Sequence, residues 1–209
     1  MLECKLEGTA MKWIAFVLLL VSGCVAQQMD EKNDPALQLT IYTPHRISIS
    51  KERQGNNVLN TVWVVSPFIA ETFDHTNKLM GIFVELHGNK QVLNTGVGGL
   101  MFTVDGKEVA VSPAVLAHSH KQESCALTRC TAKWVILPKT PAEDTAMATF
   151  VKAVADGHEV YATMLPGDNG SGQRFTAKLT DEQLLEFHDV RQYYESLVLA
   201  KKISQAVAQ

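Results

Sequence analysis

The chain has 209 residues, of which 46% are hydrophobic and 20% are charged, and its formal net charge at pH 7 is -3. That length and apolar content are enough for one domain with a hydrophobic core. The charge balance argues against nucleic acid as a partner, and no apolar run after the N-terminal segment is long enough to span a bilayer.

The N-terminal segment has the composition of a bacterial export signal. Lys12 supplies a positive charge, and residues 13–21 form an apolar stretch of signal-peptide length. Small residues at positions 22–23 then precede Cys24. The residues before Met11 are polar and mildly acidic, which is atypical of the start of a signal, so we expect Met11 to be the true initiator.

The order of an aliphatic residue, two small residues and Cys24 resembles the lipobox of bacterial lipoproteins. In that family the signal is cut before the Cys, whose thiol carries a diacylglyceryl group because a thiolate is nucleophilic enough to accept it. The resemblance implies that residues 1–23 are removed and that Cys24 anchors the protein to a membrane. Because Val25 follows instead of Asp, it also implies a periplasm-facing location on the outer membrane of the cell envelope. The alternative is an ordinary signal peptide cut near Ala26.

The rest of the chain divides into a tether and a domain. Residues 24–35 are predicted to be the lipidated Cys and a short tether, because Gln27–Pro35 is polar and ends at a proline. Residues 36–209 are predicted to form a single β-rich domain. Residues 71–75, ETFDH, are expected to form an exposed loop, with a metal or acid–base cluster as the alternative.

Strands are predicted where apolar and polar residues alternate or β-branched residues accumulate. We expect residues 78–88 to pair with 90–95, and Asp105-Gly106 to form a type I′ hairpin turn. The predicted strands are residues 37–43, 46–50, 58–66, 78–88, 90–95, 99–104, 107–112, 129–138, 158–165 and 173–179.

The segment LAHSHKQESCALTRC contains the candidate metal ligands and the remaining cysteine pair. In an oxidising compartment Cys125 and Cys130 are expected to bond to each other, closing a small loop. The alternative is zinc, because His118 and His120 would share one face of a strand and complete a set of two His and two Cys. A copper or nickel contact through the two histidines alone is a further alternative.

Two helices are predicted, each beginning at a capping box. Thr140 and Glu143 begin the first, which ends at Gly157, and Thr180 and Gln183 begin the second. The buried stripe expected on the C-terminal helix is Leu184, Phe187, Val190, Tyr194 and Leu197. The opposite, exposed side is expected to carry Glu182, Glu186, Asp189 and Gln192.

These elements predict an α+β fold with a mostly antiparallel, β-sandwich-like core, one mid-chain helix and a long C-terminal helix. The order of FTVDGKEVAV, the close cysteine pair with CTAKWVI, FVKAVADGHEVYATML and FTAKL resembles the invasion-associated locus B proteins. The similarity runs from Gly99 to Leu179 and implies a β-sandwich in an exported bacterial protein. The lipobox, the N-terminal strands and the long last helix depart from that family, which has no established active site to transfer.

Two classes of function remain. The first is a non-catalytic, membrane-anchored envelope lipoprotein that binds another envelope component through its sheet edge or its terminal helix. The second is a small periplasmic metal-binding protein or metal-dependent hydrolase that uses His118 and His120. The first is favoured, because the sequence contains no nucleophile–base pair or ligand set with the spacing of a known catalytic family.

Overall fold

The computed structural model describes residues 29–44, 50–51, 62–74, 77–88, 97–126, 129–166 and 175–207. The predicted signal peptide, the lipidation site at Cys24 and the strand predicted at 90–95 lie outside these residues. So does most of the strand predicted at 46–50.

The described residues form eleven strands and three helices. The strands are β1 Met29–Asp34, β2 Leu39–Pro44, β3 Ser50–Lys51, β4 Val62–Thr72, β5 Lys78–Gly88, β6 Val97–Val104, β7 Lys107–Ala110, β8 His120–Ala126, β9 Arg129–Ile136, β10 Val160–Pro166 and β11 Phe175–Lys178. The helices are α1 Pro113–Leu116, α2 Pro141–Ala155 and α3 Asp181–Val207.

The strands form two sheets. The larger sheet has the order β1-β2-β4-β5-β9-β8, with β3 also paired to β4, and the smaller sheet has the order β11-β10-β6-β7. Every ladder between described strands is antiparallel. The predicted α+β fold, with an antiparallel sheet core, a mid-chain helix and a long C-terminal helix, is therefore confirmed.

The main core lies where both sheets and the two long helices meet. Phe102 of β6 is fully buried, and its ring lies 4.9 Å from that of Phe150 in α2 and 5.9 Å from that of Phe187 in α3. Met80 and Ile82 of β5 belong to the same cluster. Burying a side chain of this size contributes roughly 1.5–3 kcal/mol, so this junction holds the helices on the sheets.

The alternate residues of β4 and β5 form a second, smaller cluster. The rings of Phe68 and Phe83 stack at 3.9 Å, and Phe68 pairs across the ladder with Gly81. A Cβ on Gly81 would lie 2.3 Å from the Phe68 ring, so only glycine allows the ring to cover this backbone. Both faces of β4 and β5 are buried in the middle of the strands, which is why their central residues are mostly apolar.

Pro67 lies inside β4, although proline usually excludes a central strand. The β4 residues paired with β3 are Val62 and Trp63, and those paired with β2 begin at Ile69. Pro67 lies between these two partners, so its missing N–H interrupts neither the β3 nor the β2 ladder, while on the other side it is paired with Ile82 of β5. Strand β4 therefore runs through the SPF sequence, and the prediction that the strand ends at residue 66 is wrong.

Strand β1 forms within the segment that was predicted to be a tether. It pairs with β2 along all of its residues, although its side chains are mostly exposed and show no apolar alternation. The Asp34 carboxylate accepts hydrogen bonds from the N–H groups of Ala36 and Leu37, which closes the connection to β2. Backbone pairing on an existing edge forms this strand, and side-chain periodicity cannot reveal it.

The β6–β7 hairpin has the predicted turn. Asp105 and Gly106 have φ angles of 48° and 80°, as a type I′ turn requires. The Asp105 carboxylate also accepts hydrogen bonds from the N–H groups of Glu159, at 2.8 Å, and His158, at 3.1 Å. The turn residue therefore ties the hairpin to the segment that leads into β10.

Both predicted capping boxes are present. The Thr140 side chain accepts from the Glu143 N–H at the start of α2, and the Glu143 side chain accepts from the Thr140 N–H. Thr180 and Gln183 make the same reciprocal pair at the start of α3, at 3.2 and 2.9 Å. These bonds satisfy donors that a helix start otherwise leaves unpaired.

Candidate functional site

The cysteine pair closes the β8–β9 hairpin. Cys125 and Cys130 are direct partners in the ladder and are joined by a disulfide with an S–S distance of 2.05 Å. The predicted disulfide is therefore confirmed. Because both sulfur atoms are used in this bond, neither supplies a thiolate for a metal.

The two histidines do not share a strand face, so that expectation is wrong. His118 lies in the turn after α1, and only His120 belongs to β8. The chain turns between them because α1 ends at Leu116, which packs into the core. His120 is five residues from Cys125 along the strand, which corresponds to about 16 Å.

The carboxylate found beside His118 is Glu143, whose Oε1 lies 3.8 Å from the imidazole Nε2. Glu143 is already used at the start of α2, where its Oε2 accepts from the Lys139 N–H at 2.7 Å. Within the residues that the structure describes, no group of three or more His, Cys, Asp or Glu side chains is arranged to hold a metal ion.

Glu71 is buried in β4, so the expected exposed loop is wrong at this residue. Tyr42 donates a hydrogen bond of 2.7 Å to Glu71 Oε2, and the Lys78 Nζ lies 3.4 Å from Glu71 Oε1. Asp74 is exposed in the turn that follows and accepts a hydrogen bond from the Thr72 hydroxyl. His75 lies outside the described residues. The carboxylates are thus occupied by neighbouring side chains instead of forming one cluster.

A second tyrosine–carboxylate contact joins both long helices to the larger sheet. Tyr194 of α3 donates to Asp144 Oδ2 of α2 at 2.5 Å, and Asp144 Oδ1 accepts from the Met80 N–H of β5 at 3.0 Å. Burial and the adjacent carboxylate raise the pKa of Tyr194, and burial and Glu71 raise the pKa of Tyr42. Both phenols stay protonated at neutral pH, which suits hydrogen-bond donors that position elements and not acid–base catalysts.

The inner side of α3 contains the whole predicted stripe, together with Gln183, Glu186 and Tyr193. Phe187 and Val190 are fully buried, and Leu184, Tyr194 and Leu197 pack partly buried against the same core. Glu186 was expected on the exposed side but is buried, and Ser66 donates a hydrogen bond of 3.0 Å to its carboxylate. Ser66 is 120 residues from Glu186 in the sequence, so the sequence of the helix alone could not predict this burial.

The other side of α3 presents aliphatic side chains to solvent. We define the outer face as Leu185, Gln192, Leu199 and Ile203. Leu185 is 49% exposed, Leu199 56% and Ile203 43%. Every described side chain from 199 to 206 is exposed, so the last turns of α3 extend beyond the core. This face was not predicted, although Leu185 and Leu199 lie a multiple of seven residues apart, which is the sequence signal for it.

Charge is unevenly distributed along α3. Its first turn carries Asp181 and Glu182, and its last turns carry Lys201 and Lys202, all of which are exposed. The acidic residues of the first turn complement the partial positive charge of the helix N-terminus. The outer face therefore runs between an acidic end and a basic end.

Comparison with known proteins yields no match to a family model, to a curated protein or to a solved structure. Among the described helices, none combines the length and the hydropathy needed to cross a membrane. The candidate site is the outer face of α3, because it exposes three large aliphatic side chains.

Proposed function

We propose that this chain is a membrane-anchored lipoprotein of the bacterial cell envelope whose domain is a non-catalytic binding module. The anchor is the lipid on Cys24, at the lipobox, and the binding surface is the outer face of α3. The observation that carries the binding role is the exposure of three large aliphatic side chains on a helix whose opposite side packs into the core from Leu184 to Leu197.

The outer face supports a binding role because exposed aliphatic side chains gain free energy when a partner covers them. Burying a Leu or Ile contributes roughly 1.5–3 kcal/mol. Contacts of this kind are how an amphipathic helix recognises a groove or a second helix. A helix already held by Phe187 and Val190 loses little further conformational entropy on binding, which favours affinity.

The sheet edges are weaker candidates for the same role. The edge strands of the larger sheet are β1, MDEKND, and β8, HKQESCA, and most of their side chains are exposed. Charged residues on an edge strand oppose pairing with another chain. Of the two surfaces expected from the sequence, the terminal helix is therefore the one we propose.

The polar contacts inside the domain favour a binding module over an enzyme. The two partly buried phenols of Tyr42 and Tyr194 are protonated donors, the cysteines are bonded to each other, and His118 lies before the start of β8 whereas His120 belongs to it. Each of these groups has a structural partner or position that accounts for it.

The proposed anchor places the domain close to the membrane. Met29 already belongs to β1, and five residue steps separate it from Cys24. At about 3.5 Å per residue, that length of chain reaches no more than roughly 18 Å. A bound partner would therefore lie at or near the membrane surface.

The anchor is tested by labelling cells with radioactive palmitate. We expect the wild-type chain to be labelled and Cys24→Ser to remain an unlabelled, unprocessed precursor, because serine lacks the thiol that accepts the lipid. Ser22→Ala is the matched control, because it keeps a small residue in the lipobox and is expected to be labelled like the wild type. A Cys24→Ser chain that is processed normally and released as a soluble protein would refute the anchor.

A further inference from the structure

Titratable side chains recur on α3 every seven residues along one flank of the outer face. They are Asp181, His188, Glu195 and Lys202. Beside them, Leu185, Gln192 and Leu199 recur at the same spacing. A seven-residue spacing keeps side chains on one side of a helix, which is the arrangement used in helix–helix pairing.

The two ends of this row carry opposite charges. When two copies of α3 run antiparallel with Gln192 facing Gln192, Asp181 lies opposite residue 203 and next to Lys202, and His188 lies opposite residue 196 and next to Glu195. Two parallel copies would instead place Asp181 against Asp181 and Lys202 against Lys202. Facing opposite charges favour one orientation of a helix pair and like charges disfavour the other.

We infer that the partner of the outer face is a second copy of this chain, with the two α3 helices antiparallel and Gln192 on the two-fold axis. Leu185 and Leu199 lie seven residues to either side of Gln192, so Leu185 of each copy packs against Leu199 of the other. A two-fold pair uses the same patch twice, and each contact therefore occurs twice. The inference deepens the proposed function, because it rests on the outer face being the binding surface and names its partner.

The side chains along this flank are partly or fully exposed, and several already contact neighbours on α3. The Glu195 side chain is 55% exposed and lies 3.4 Å from Arg191 Nε, and the His188 side chain is 40% exposed and lies 3.3 Å from Gln192 Nε2. A second helix would therefore add to these contacts or replace them. The segment from Asp181 to Lys202 is about 33 Å long at 1.5 Å per residue. Two leucine pairs and two Asp181–Lys202 charge pairs along this length form a small interface, so we expect a dissociation constant on the order of micromolar. Anchoring both copies to one membrane raises their effective concentration and favours the dimer.

The register is tested by disulfide cross-linking in intact cells, with a single added cysteine. In Gln192→Cys the new thiol meets its own copy across the two-fold axis, so we expect a covalent dimer under non-reducing conditions. Ser204→Cys is the control, since residue 204 is also exposed on α3 but lies about 120° around the helix from residue 192. No dimer from Gln192→Cys, an equal dimer from Ser204→Cys, or a cross-link from position 192 to a different protein would overturn the inference.

The charge pairing is tested by exchanging the charges. With the full chain in detergent, we expect Asp181→Lys and Lys202→Asp each to raise the dimer dissociation constant about fivefold to tenfold, because two weak surface pairs are lost per dimer. The double variant restores opposite charges and is expected to recover the wild-type value. Sedimentation equilibrium measures the constant, and melting temperatures verify that each variant is folded. Failure of the double variant to recover the value overturns the pairing.

The two proposals fail separately in these experiments. Palmitate labelling at Cys24 without cross-linking through position 192 would remove the self-pairing and leave the anchor. Cross-linking through position 192 without labelling would remove the anchor and leave the self-pairing.

Discussion

The two sides of α3 contain similar aliphatic residues with opposite fates. On the inner side, Phe187 and Val190 are fully buried between the sheets and α2, whereas Leu199 and Ile203 on the outer face are about half exposed. Amphipathic periodicity alone assigns one apolar side to the core. The outer face is recognised as a binding surface only from the structure. Because the inner side packs into the core, the leucines of the outer face remain available to a partner.

The largest expected effect compares these two sides directly. Phe187→Ala removes a buried ring that touches Phe102 and is expected to reduce the free energy of unfolding by about 3–5 kcal/mol. Leu199→Ala is the matched control and is expected to change it by less than about 0.5 kcal/mol. Urea or thermal denaturation below the dimer's dissociation constant measures both. Equal losses would show that Leu199 also packs in the core and would remove the distinction between the two sides.

The next effect isolates a polar contact of the inner side. Tyr194→Phe keeps the ring but removes the hydroxyl that donates to Asp144, and we expect a loss of about 1.5–3 kcal/mol, because the acceptor is charged and partly buried. Circular dichroism during thermal unfolding measures this loss. Combining it with Asp144→Asn in a double-mutant cycle measures the coupling, and strictly additive losses would contradict the contact.

A smaller effect concerns the beginning of the helix that both sides share. Thr180→Ala removes the hydroxyl that accepts from the Gln183 N–H, and we expect a loss of about 1 kcal/mol in unfolding free energy. Thr180→Ser retains the acceptor and serves as the control. Chemical denaturation of both variants tests the cap, and equal stability of the Ala and Ser variants would argue against it.

The smallest expected effect is the pH dependence of the turn at Asp105, which lies at the surface and away from α3. The N–H groups of Glu159 and His158 hold the pKa of Asp105 below its usual value. The stabilisation is present above the pKa of the unfolded chain, begins to decline near about pH 4, and is lost as the pH falls through the lower, folded value.

Asp105→Asn keeps a residue that tolerates positive φ but removes the charge that titrates. We therefore expect the melting temperature of the wild type to fall more than that of the variant between neutral pH and pH 3. Parallel curves over that range would show that the Asp105 charge does not contribute to the stability of the hairpin.

The features that were predicted correctly depend on residues close together in the chain. The turn at Asp105-Gly106 requires positive φ at two adjacent positions, and the capping boxes at Thr140 and Thr180 each join residues three apart. The disulfide joins Cys125 to Cys130 across a short loop. Local sequence determines these features because a few neighbouring residues supply both partners and leave few alternatives.

Tertiary structure decided the features whose partners are distant in sequence. Glu186 is buried because Ser66 lies 120 residues earlier, and the Asp105 side chain bonds a segment 53 residues later. The separation of His118 from His120 depends on where α1 docks its last residue against the core.

The sequence by itself therefore determined the types of the main elements, the antiparallel α+β class, the disulfide and the inner stripe of α3. Only the tertiary structure decided which carboxylates are buried, that Phe68 covers Gly81, and that Leu185, Leu199 and Ile203 form an exposed face. The physical reason is that periodicity reports which residues can share a side of an element, whereas burial depends on what the rest of the chain places against that side.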